Sequence, residues 1–149
     1  MSLTDKITSD MKAALKSGEK LRLSCLRLLL SFVKNKAIEL RKDSLDDAEV
    51  QGVITTLVRQ RQDSVEQYRK GGREDLAGKE AEEMEILKGY LPPQLGPEEI
   101  RGLVRDAVAE AGAGSVSDMG RVMKLVMPRV KGRADGRQVQ EIVREVLGG

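Results

Sequence analysis

The sequence predicts an all-α fold, and three observations carry that prediction. Apolar residues recur at three- and four-residue spacing, whereas Val and Ile do not alternate with polar residues over any long segment. Aromatic residues make up only 2% of the 149 residues, so the core must be aliphatic. Gly and Pro separate the periodic segments. We expect an N-terminal four-helix unit (residues 1–91), a hinge (92–96) and a C-terminal three-helix unit (97–149).

The first two helices are delimited by caps and a glycine. Ser2, followed three residues later by Asp5, is a capping-box pattern, and Gly18 ends the first helix. The second helix is predicted from about Lys20 to Arg41. Because its apolar surface is broad, we expect a central helix contacted from more than one side. Its apolar residues are Leu21, Cys25, Leu28, Leu29, Phe32, Val33 and Leu40.

A basic stripe follows one face of this second helix. Its members, spaced seven residues apart, are Lys20, Arg27, Lys34 and Arg41. The stripe is interpreted either as the exposed side of a core helix or as part of a larger basic surface.

The third helix is predicted to begin at Ser44, which forms a capping-box pattern with Asp47, and to stop at Gly71-Gly72. The fourth helix carries an acidic run. Its acids are Glu80, Glu82, Glu83 and Glu85. We interpret them as a solvated face, because no His or Asp completes an EF-hand or di-iron spacing that would hold a metal.

The C-terminal helices are marked by proline, glycine and polar caps. Two prolines in Tyr90-Leu91-Pro92-Pro93 exclude a helix interior, so the boundary between the units is placed there. Pro97 opens the fifth helix, which closes at Gly112. The remaining predictions are a sixth helix capped by Ser117 and ended by Pro128, and a seventh capped by Asp135. The stripe Met119, Met123 and Met127 is interpreted as core, with an adaptable partner groove as the alternative.

Composition excludes several classes of function. The chain has no histidine, which removes the usual general base and most zinc sites. The single cysteine, Cys25, lies on an apolar helix, so buried packing is favoured over reactivity. No apolar run approaches the ~20 residues of a membrane span, and the N-terminus has no signal core. We therefore expect a cytoplasmic protein with no membrane association, no metal and no cofactor.

The segment 118–137 concentrates positive charge near one end of the chain. Arg and Lys bind phosphate through charge-assisted hydrogen bonds, and glycine lets a backbone approach a polyanion. The candidate nucleic-acid-binding residues are Arg121, Lys124, Arg129, Lys131, Gly132, Arg133, Gly136 and Arg137. Scarce aromatics favour a folded RNA read by shape and backbone over a single strand, and no DNA is expected. A solvated basic turn between two helices is the alternative.

Several segments together resemble the YqeY-like family, over essentially the whole chain. The resemblance is carried by Leu26-Arg27 with Lys34, the run RQRQDSVEQYRKGGREDLAGKEAEEMEIL, YLPPQL at Tyr90–Leu95, and DMGRVMKLVMPRVKGRADGR. This family is similar to the C-terminal part of the B subunit of bacterial glutamyl-tRNA amidotransferase, whose tail domain contacts the elbow of tRNA. The residues that fall on the tail-domain motif are Gly120, Lys124, Lys131, Gly132, Arg133, Ala134, Asp135 and Gly136.

The resemblance implies two hypotheses of different classes. The first is a stand-alone module that binds tRNA or another structured RNA. The second is a protein-interaction module that docks on an amidotransferase or another translation-associated protein, through the acidic face of the fourth helix or the hinge. Transfer of the family activity would imply a carbon–nitrogen ligase with glutamine as amido donor. The catalytic body of that subunit has no counterpart here, and the residues present supply no nucleophile–base pair.

Overall fold

The computed structural model describes residues 1–148, which form seven α-helices, one short 3₁₀ turn and no strand. The all-α prediction is confirmed. The N-terminal helices are α1 (Leu3–Ser17), α2 (Lys20–Glu39), α3 (Asp47–Lys70) and α4 (Glu74–Lys88). The C-terminal helices are α5 (Pro97–Ala111), α6 (Met119–Val130) and α7 (Gly136–Val146), and the 3₁₀ turn at Val116–Asp118 directly precedes α6. None of the helices described is long and apolar enough to cross a membrane.

The chain divides into two compact units between Leu91 and Pro92. Each unit has its own aliphatic core. Fully buried residues of the N-terminal unit include Ile7, Leu26, Leu29, Ile54 and Leu87, and those of the C-terminal unit include Ile100, Val104, Val122, Val126 and Val143. Burying one such side chain stabilises the folded state by about 1.5–3 kcal/mol.

Several helix termini lie where the local sequence predicts them. Ser2 Oγ accepts a hydrogen bond from the Asp5 amide at 3.1 Å at the start of α1. Gly18 and Gly112 end α1 and α5 with φ of 78° and 62°, a region that favours glycine. Pro97 is the first residue of α5. These predictions are confirmed. Local sequence is sufficient here, because each terminus is determined by residues within one helical turn.

The connection between α2 and α3 differs from the prediction. The second helix ends at Glu39, and Arg41 lies beyond it with φ of 56°, so only three members of the basic stripe are helical. The cap of α3 is Asp46 rather than Ser44: the Asp46 carboxylate accepts from the Glu49 amide at 2.8 Å. Glu49 Oε1 in turn accepts from the Asp46 amide at 3.0 Å. These two hydrogen bonds form a capping box. Leu45, the residue before the cap, is buried, and α3 begins two residues later than a cap at Ser44 would place it.

The bounds of α6 also correct two predictions. Ser117 lies inside the 3₁₀ turn, and Asp118, which accepts from the Gly114 amide at 3.0 Å, precedes the helix. Pro128 does not end α6, which continues to Val130. Proline removes one hydrogen bond to the preceding turn, but Pro128 is exposed and the fully buried Val130 holds the last residues in place.

The second helix is less covered than expected. Its buried residues lie on one side, whereas Leu28, Phe32 and Leu40 keep 41%, 41% and 42% of their surface exposed. Contacts of α2 with α1, α3 and α4 confirm the prediction of a helix contacted from more than one side, but these three apolar residues are not covered by them.

The acidic run of α4 is only partly a solvated face. Glu83 Oε2 lies 3.1 Å from Arg61 Nη2, and Glu80 Oε2 lies 4.0 Å from Arg61 Nε, so both acids turn toward α3. Glu82 and Glu85 remain exposed. In residues 1–148 no group of three or more acidic or cysteine side chains could hold a metal ion.

Candidate nucleic-acid interface

The candidate site comprises α6, the turn after it and the first residues of α7. The buried face of α6 carries Val122, Val126 and Val130, which pack in the core of the C-terminal unit. Met119, Met123 and Met127 are partly buried against the same core, which agrees with their interpretation as core residues. The opposite face therefore presents the basic residues to solvent.

Arg121 connects the start of α6 to the end of α5. Its Nη2 donates to Asp118 Oδ1 at 2.8 Å, and its Nη1 donates to the Ala111 carbonyl at 3.0 Å. Hydrogen bonds from the Gly114 amide and from Arg121 hold the pKa of Asp118 below its usual value. Arg121 is thus occupied in joining two helix ends.

Two further arginines of the predicted set are paired with acids. Arg129 forms an ion pair with Glu110 of α5. The side chain of Arg137 lies 3.7 Å from Asp135, and the Asp135 carboxylate also caps α7 by accepting from the Arg137 amide. The cap prediction for Asp135 is confirmed. Its negative charge lies at the helix end that would otherwise attract an anion.

The other three cations have no acidic partner in the part of the chain that the structure describes. Lys124 and Lys131, seven residues apart, project from the same exposed face of α6 and its C-cap. Arg133 is exposed in the turn, where its Nε donates to the Pro93 carbonyl at 3.4 Å. Its two terminal nitrogens donate to no acceptor within residues 1–148. These three side chains are the available positive charge of the candidate site.

The turn that carries Lys131 and Arg133 is fixed by hydrogen bonds. Gly132 has φ of 76°, a conformation that side-chain-bearing residues rarely adopt. The Gly132 carbonyl accepts from Gln94 Nε2 at 3.0 Å, and the Arg133 carbonyl accepts from the Leu95 amide at 2.8 Å. Leu95 is buried in the C-terminal core. The segment predicted to be a hinge therefore holds the basic turn, although whether it bends stays a prediction.

Gly136 lies at the start of α7, and its predicted role in binding nucleic acid stays a prediction. It is the first residue of α7, and a Cβ built on it would lie at an ordinary contact distance of 3.7 Å from Met127 Cε. Neither space nor backbone conformation requires glycine there.

Sequence reasoning missed the positioning residues Gln94 and Leu95. Their hydrogen-bond partners, Gly132 and Arg133, lie 38 residues further along the chain, so no local sequence pattern predicts these contacts. The only signal was their presence in YLPPQL, one of the segments that carry the family resemblance.

Comparison with known proteins identifies the family. The sequence model described as Yqey-like protein matches residues 4–147, nearly the whole chain. The chain belongs to the Yqey-like protein family. This confirms the resemblance stated above.

Curated relatives are fungal proteins named "Altered inheritance of mitochondria protein 41, mitochondrial". The protein of Pyrenophora tritici-repentis is 32% identical over 146 residues, covering 96% of this chain and 80% of the relative. That of Vanderwaltozyma polyspora is 36% identical over 96 residues, covering 63% of this chain and about half (52%) of the relative. That of Saccharomyces cerevisiae strain YJM789 is 26% identical over 142 residues, covering 95% and 66%. The predicted cytoplasmic location is contradicted, because these relatives are named as mitochondrial proteins.

Proposed function

We propose that the C-terminal unit binds the phosphate backbone of a structured RNA, with tRNA as the first candidate. The observation that carries the proposal is the set of three exposed cations without an acidic partner in residues 1–148. These are Lys124, Lys131 and Arg133. The resemblance of this segment to a tRNA-contacting tail domain supports tRNA among structured RNAs.

Phosphate recognition suits the chemistry of these residues. Lysine ammonium and arginine guanidinium groups form charge-assisted hydrogen bonds with phosphate oxygens, and the free edge of Arg133 allows a bidentate contact. Arg121, Arg129 and Arg137 add little net positive potential while their ion pairs with Asp118, Glu110 and Asp135 remain in place. Because exposed ion pairs are worth only ~0–1 kcal/mol, a phosphate could replace the acid in the Arg129 pair at little cost.

The C-terminal unit lacks the means to read bases by stacking. From residue 92 onward the sequence has no Phe, Tyr or Trp. Binding through α6 and its turn would therefore depend on backbone charge and shape, which suits a folded RNA better than a single strand.

The proposal predicts a site-specific loss of tRNA binding when two of the three cations are removed. In the double variant K131A/R133A we expect the affinity for tRNA to fall about tenfold or more at low salt, since two charge-assisted contacts are lost. The slope of log affinity against log salt, expected at about −2 to −3 for three phosphate contacts, should become shallower by about one to two units. Fluorescence anisotropy over a salt series measures both quantities.

A matched control removes the same charge elsewhere in the unit. Arg105 on α5 and Arg144 near the end of α7 are exposed and have no acidic partner in the described chain. The double variant R105A/R144A should keep most of the affinity. Equal losses in the two double variants, or no detectable tRNA binding by the unmodified protein at low salt, would overturn the proposal.

Docking on an amidotransferase or another translation-associated protein is the alternative, and it has less support. Two of the four acids proposed for that contact, Glu80 and Glu83, are turned to Arg61. Purification from native cells distinguishes RNA binding from protein docking. An RNA bound through Lys131 and Arg133 supports the proposal, and a stable protein partner without RNA contradicts it.

A further inference from the structure

The outer face of α2 carries three cations that no acid neutralises within residues 1–148. These cations, Lys20, Arg27 and Lys34, are all exposed. Positions seven residues apart drift by only about 20° per step around a helix, so the three side chains lie along one face. At 1.5 Å per residue they are about 10 Å apart and together span about 21 Å. The opposite side of α2 is buried in the core of the N-terminal unit.

The sequence around these cations contains no acid. Residues 20–38 include no Asp or Glu, and this is the longest acid-free stretch of the chain. The second longest is 119–134, which contains the cations of α6 and its turn. The chain has 24 acidic and 26 basic residues, so a stretch of this length without an acid is unusual for it. Because like charges repel, the N-terminal unit gains no stability from leaving this face without acids.

The acids that border this stretch are engaged elsewhere. Glu39 lies 3.4 Å from Lys36, toward α3, and Glu19 accepts a hydrogen bond at 2.8 Å from the last residue of α1. The stretch has one further basic residue, Arg22, which interacts with Tyr90. The positive charge left for a partner is therefore that of the outer face.

Small polar residues lie between the three cations. Ser24 and Ser31 are exposed on the same face of α2, and serine hydroxyls are regular partners of phosphate oxygens. The exposed Leu28 and Phe32 lie further around the helix, about 100° and 140° from Arg27. No apolar anchor of the kind that protein interfaces need at their centre lies between the cations on this face. The chemistry of the face therefore favours phosphate over an acidic protein surface.

We propose that the outer face of α2 is a second surface that binds the phosphate backbone of RNA, separate from the turn after α6. The identity of the polyanion rests on the proposed function. Three charge-assisted contacts in a straight line suit phosphates held at fixed separations in a base-paired stem. A membrane surface fits less well, because Ser24 and Ser31 occupy the positions where an inserting helix needs apolar residues.

Removal of charge from this face tests the proposal in the full-length protein. In the double variant R27A/K34A we expect the affinity for tRNA to fall about tenfold or more at low salt, since two phosphate contacts are lost. The unmodified protein should show a slope of log affinity against log salt of about −4 to −5, because three contacts add to those of the C-terminal unit. In R27A/K34A the slope should become shallower by about one to two units.

A matched control removes two positive charges elsewhere in the same unit. Lys70 at the end of α3 and Lys79 on α4 are exposed and have no acidic partner in the described residues. The double variant K70A/K79A should stay within about twofold of the unmodified protein. Equal losses in R27A/K34A and K70A/K79A would overturn the proposal. Circular dichroism should show unchanged helix content in both, because the substituted side chains are exposed and alanine favours a helix.

The variant K131A/R133A, measured in parallel, separates this proposal from the proposed function. If affinity falls in K131A/R133A and stays at the control level in R27A/K34A, the second surface is overturned and the C-terminal site stands. The reverse pattern supports the second surface and overturns the C-terminal site, and no tRNA binding at low salt overturns both.

Vesicles of phosphatidylglycerol and phosphatidylcholine test the membrane alternative. Vesicle binding that is lost in R27A/K34A, together with unchanged tRNA affinity in that variant, would assign the outer face to a lipid surface and contradict the proposal. Absence of vesicle binding, together with the expected loss of tRNA affinity, supports it.

Discussion

The environment of Cys25 suppresses the reactivity of its thiol. Only 3% of its surface is exposed, and its Sγ donates to the Glu83 carbonyl at 3.7 Å. Burial raises the pKa of the thiol from 9.0 to about 11, since the thiolate would lose its hydration. The thiolate is the reactive form, so the folded protein holds this cysteine in its inert state.

Thiol labelling should therefore report unfolding. At pH 8 we expect Cys25 to react with a soluble disulfide reagent far more slowly in the native protein than in denaturant, because both burial and the raised pKa oppose attack. The release of the coloured thiolate measures the rate. Comparable rates in native and unfolded protein would contradict the described packing.

The raised pKa of Cys25 should make the folded protein less stable at alkaline pH. Because the folded pKa of Cys25 lies above its unfolded value, its contribution to the free energy of unfolding is complete below about pH 9 and is lost as the pH rises toward 11. Burial and the hydrogen bond to Asp10 also raise the pKa of Tyr90, which acts in the same direction. Urea denaturation should show stability declining above pH 9, and an increase over that range would oppose this account.

At the scale of elements, the turn between α6 and α7 gives the candidate site its shape. Gly132 supplies the backbone conformation, and Gln94 and Leu95 hold the carbonyls of residues 132 and 133. Gly136, four residues later, lies in ordinary helical backbone. The two glycines therefore have different physical requirements although they belong to the same motif.

Alanine substitution should separate these two glycines. Gly132→Ala places a Cβ in the left-handed region and should destabilise the C-terminal unit by about 1 kcal/mol or more. Gly136→Ala should be neutral or slightly stabilising, since its Cβ meets only Met127 Cε at 3.7 Å. Urea denaturation followed by circular dichroism measures both changes. Equal stability of the two variants would show that the turn does not depend on the φ of residue 132.

Helix ends that depend on interactions within one turn could be predicted from the sequence, whereas ends that depend on packing could not. The caps at Ser2 and Asp135 and the ends at Gly18 and Gly112 were correct, because each is decided within one turn. The start of α3 was wrong because Ser44 and Asp46 both fit the pattern, and the choice depends on packing around the buried Leu45. The end of α6 was wrong because burial of Val130 outweighs the bond lost at Pro128.

The sequence predicted where the basic residues of the candidate site lie, but not which of them are paired with acidic residues. Local sequence locates the cations, whereas the pairing of Arg129 with Glu110 and the contact of Gln94 with Gly132 join residues 19 and 38 positions apart. Those distant contacts decide which cations remain available. Likewise, the apolar breadth of α2 was visible in the sequence, but the exposure of Phe32 and Leu28 was not.

At the scale of the whole molecule, the two units have separate hydrophobic cores. The N-terminal core includes Leu26, Ile54 and Leu87, and the C-terminal core includes Leu95, Val126 and Ile142. A unit that buries its own apolar surface can fold without its neighbour. The proposed RNA-binding turn lies wholly within the C-terminal unit.

Separate expression of residues 1–91 and 92–149 should therefore yield two helical fragments. We expect the longer fragment to unfold cooperatively with the greater stability, because chains near 60 residues bury only about 60% of their unfolded surface and are marginal. Circular dichroism melts measure both. The shorter fragment should retain tRNA binding that depends on Lys131 and Arg133. A fragment that is unfolded at 10 °C while the full chain is folded would show that its core depends on the other unit.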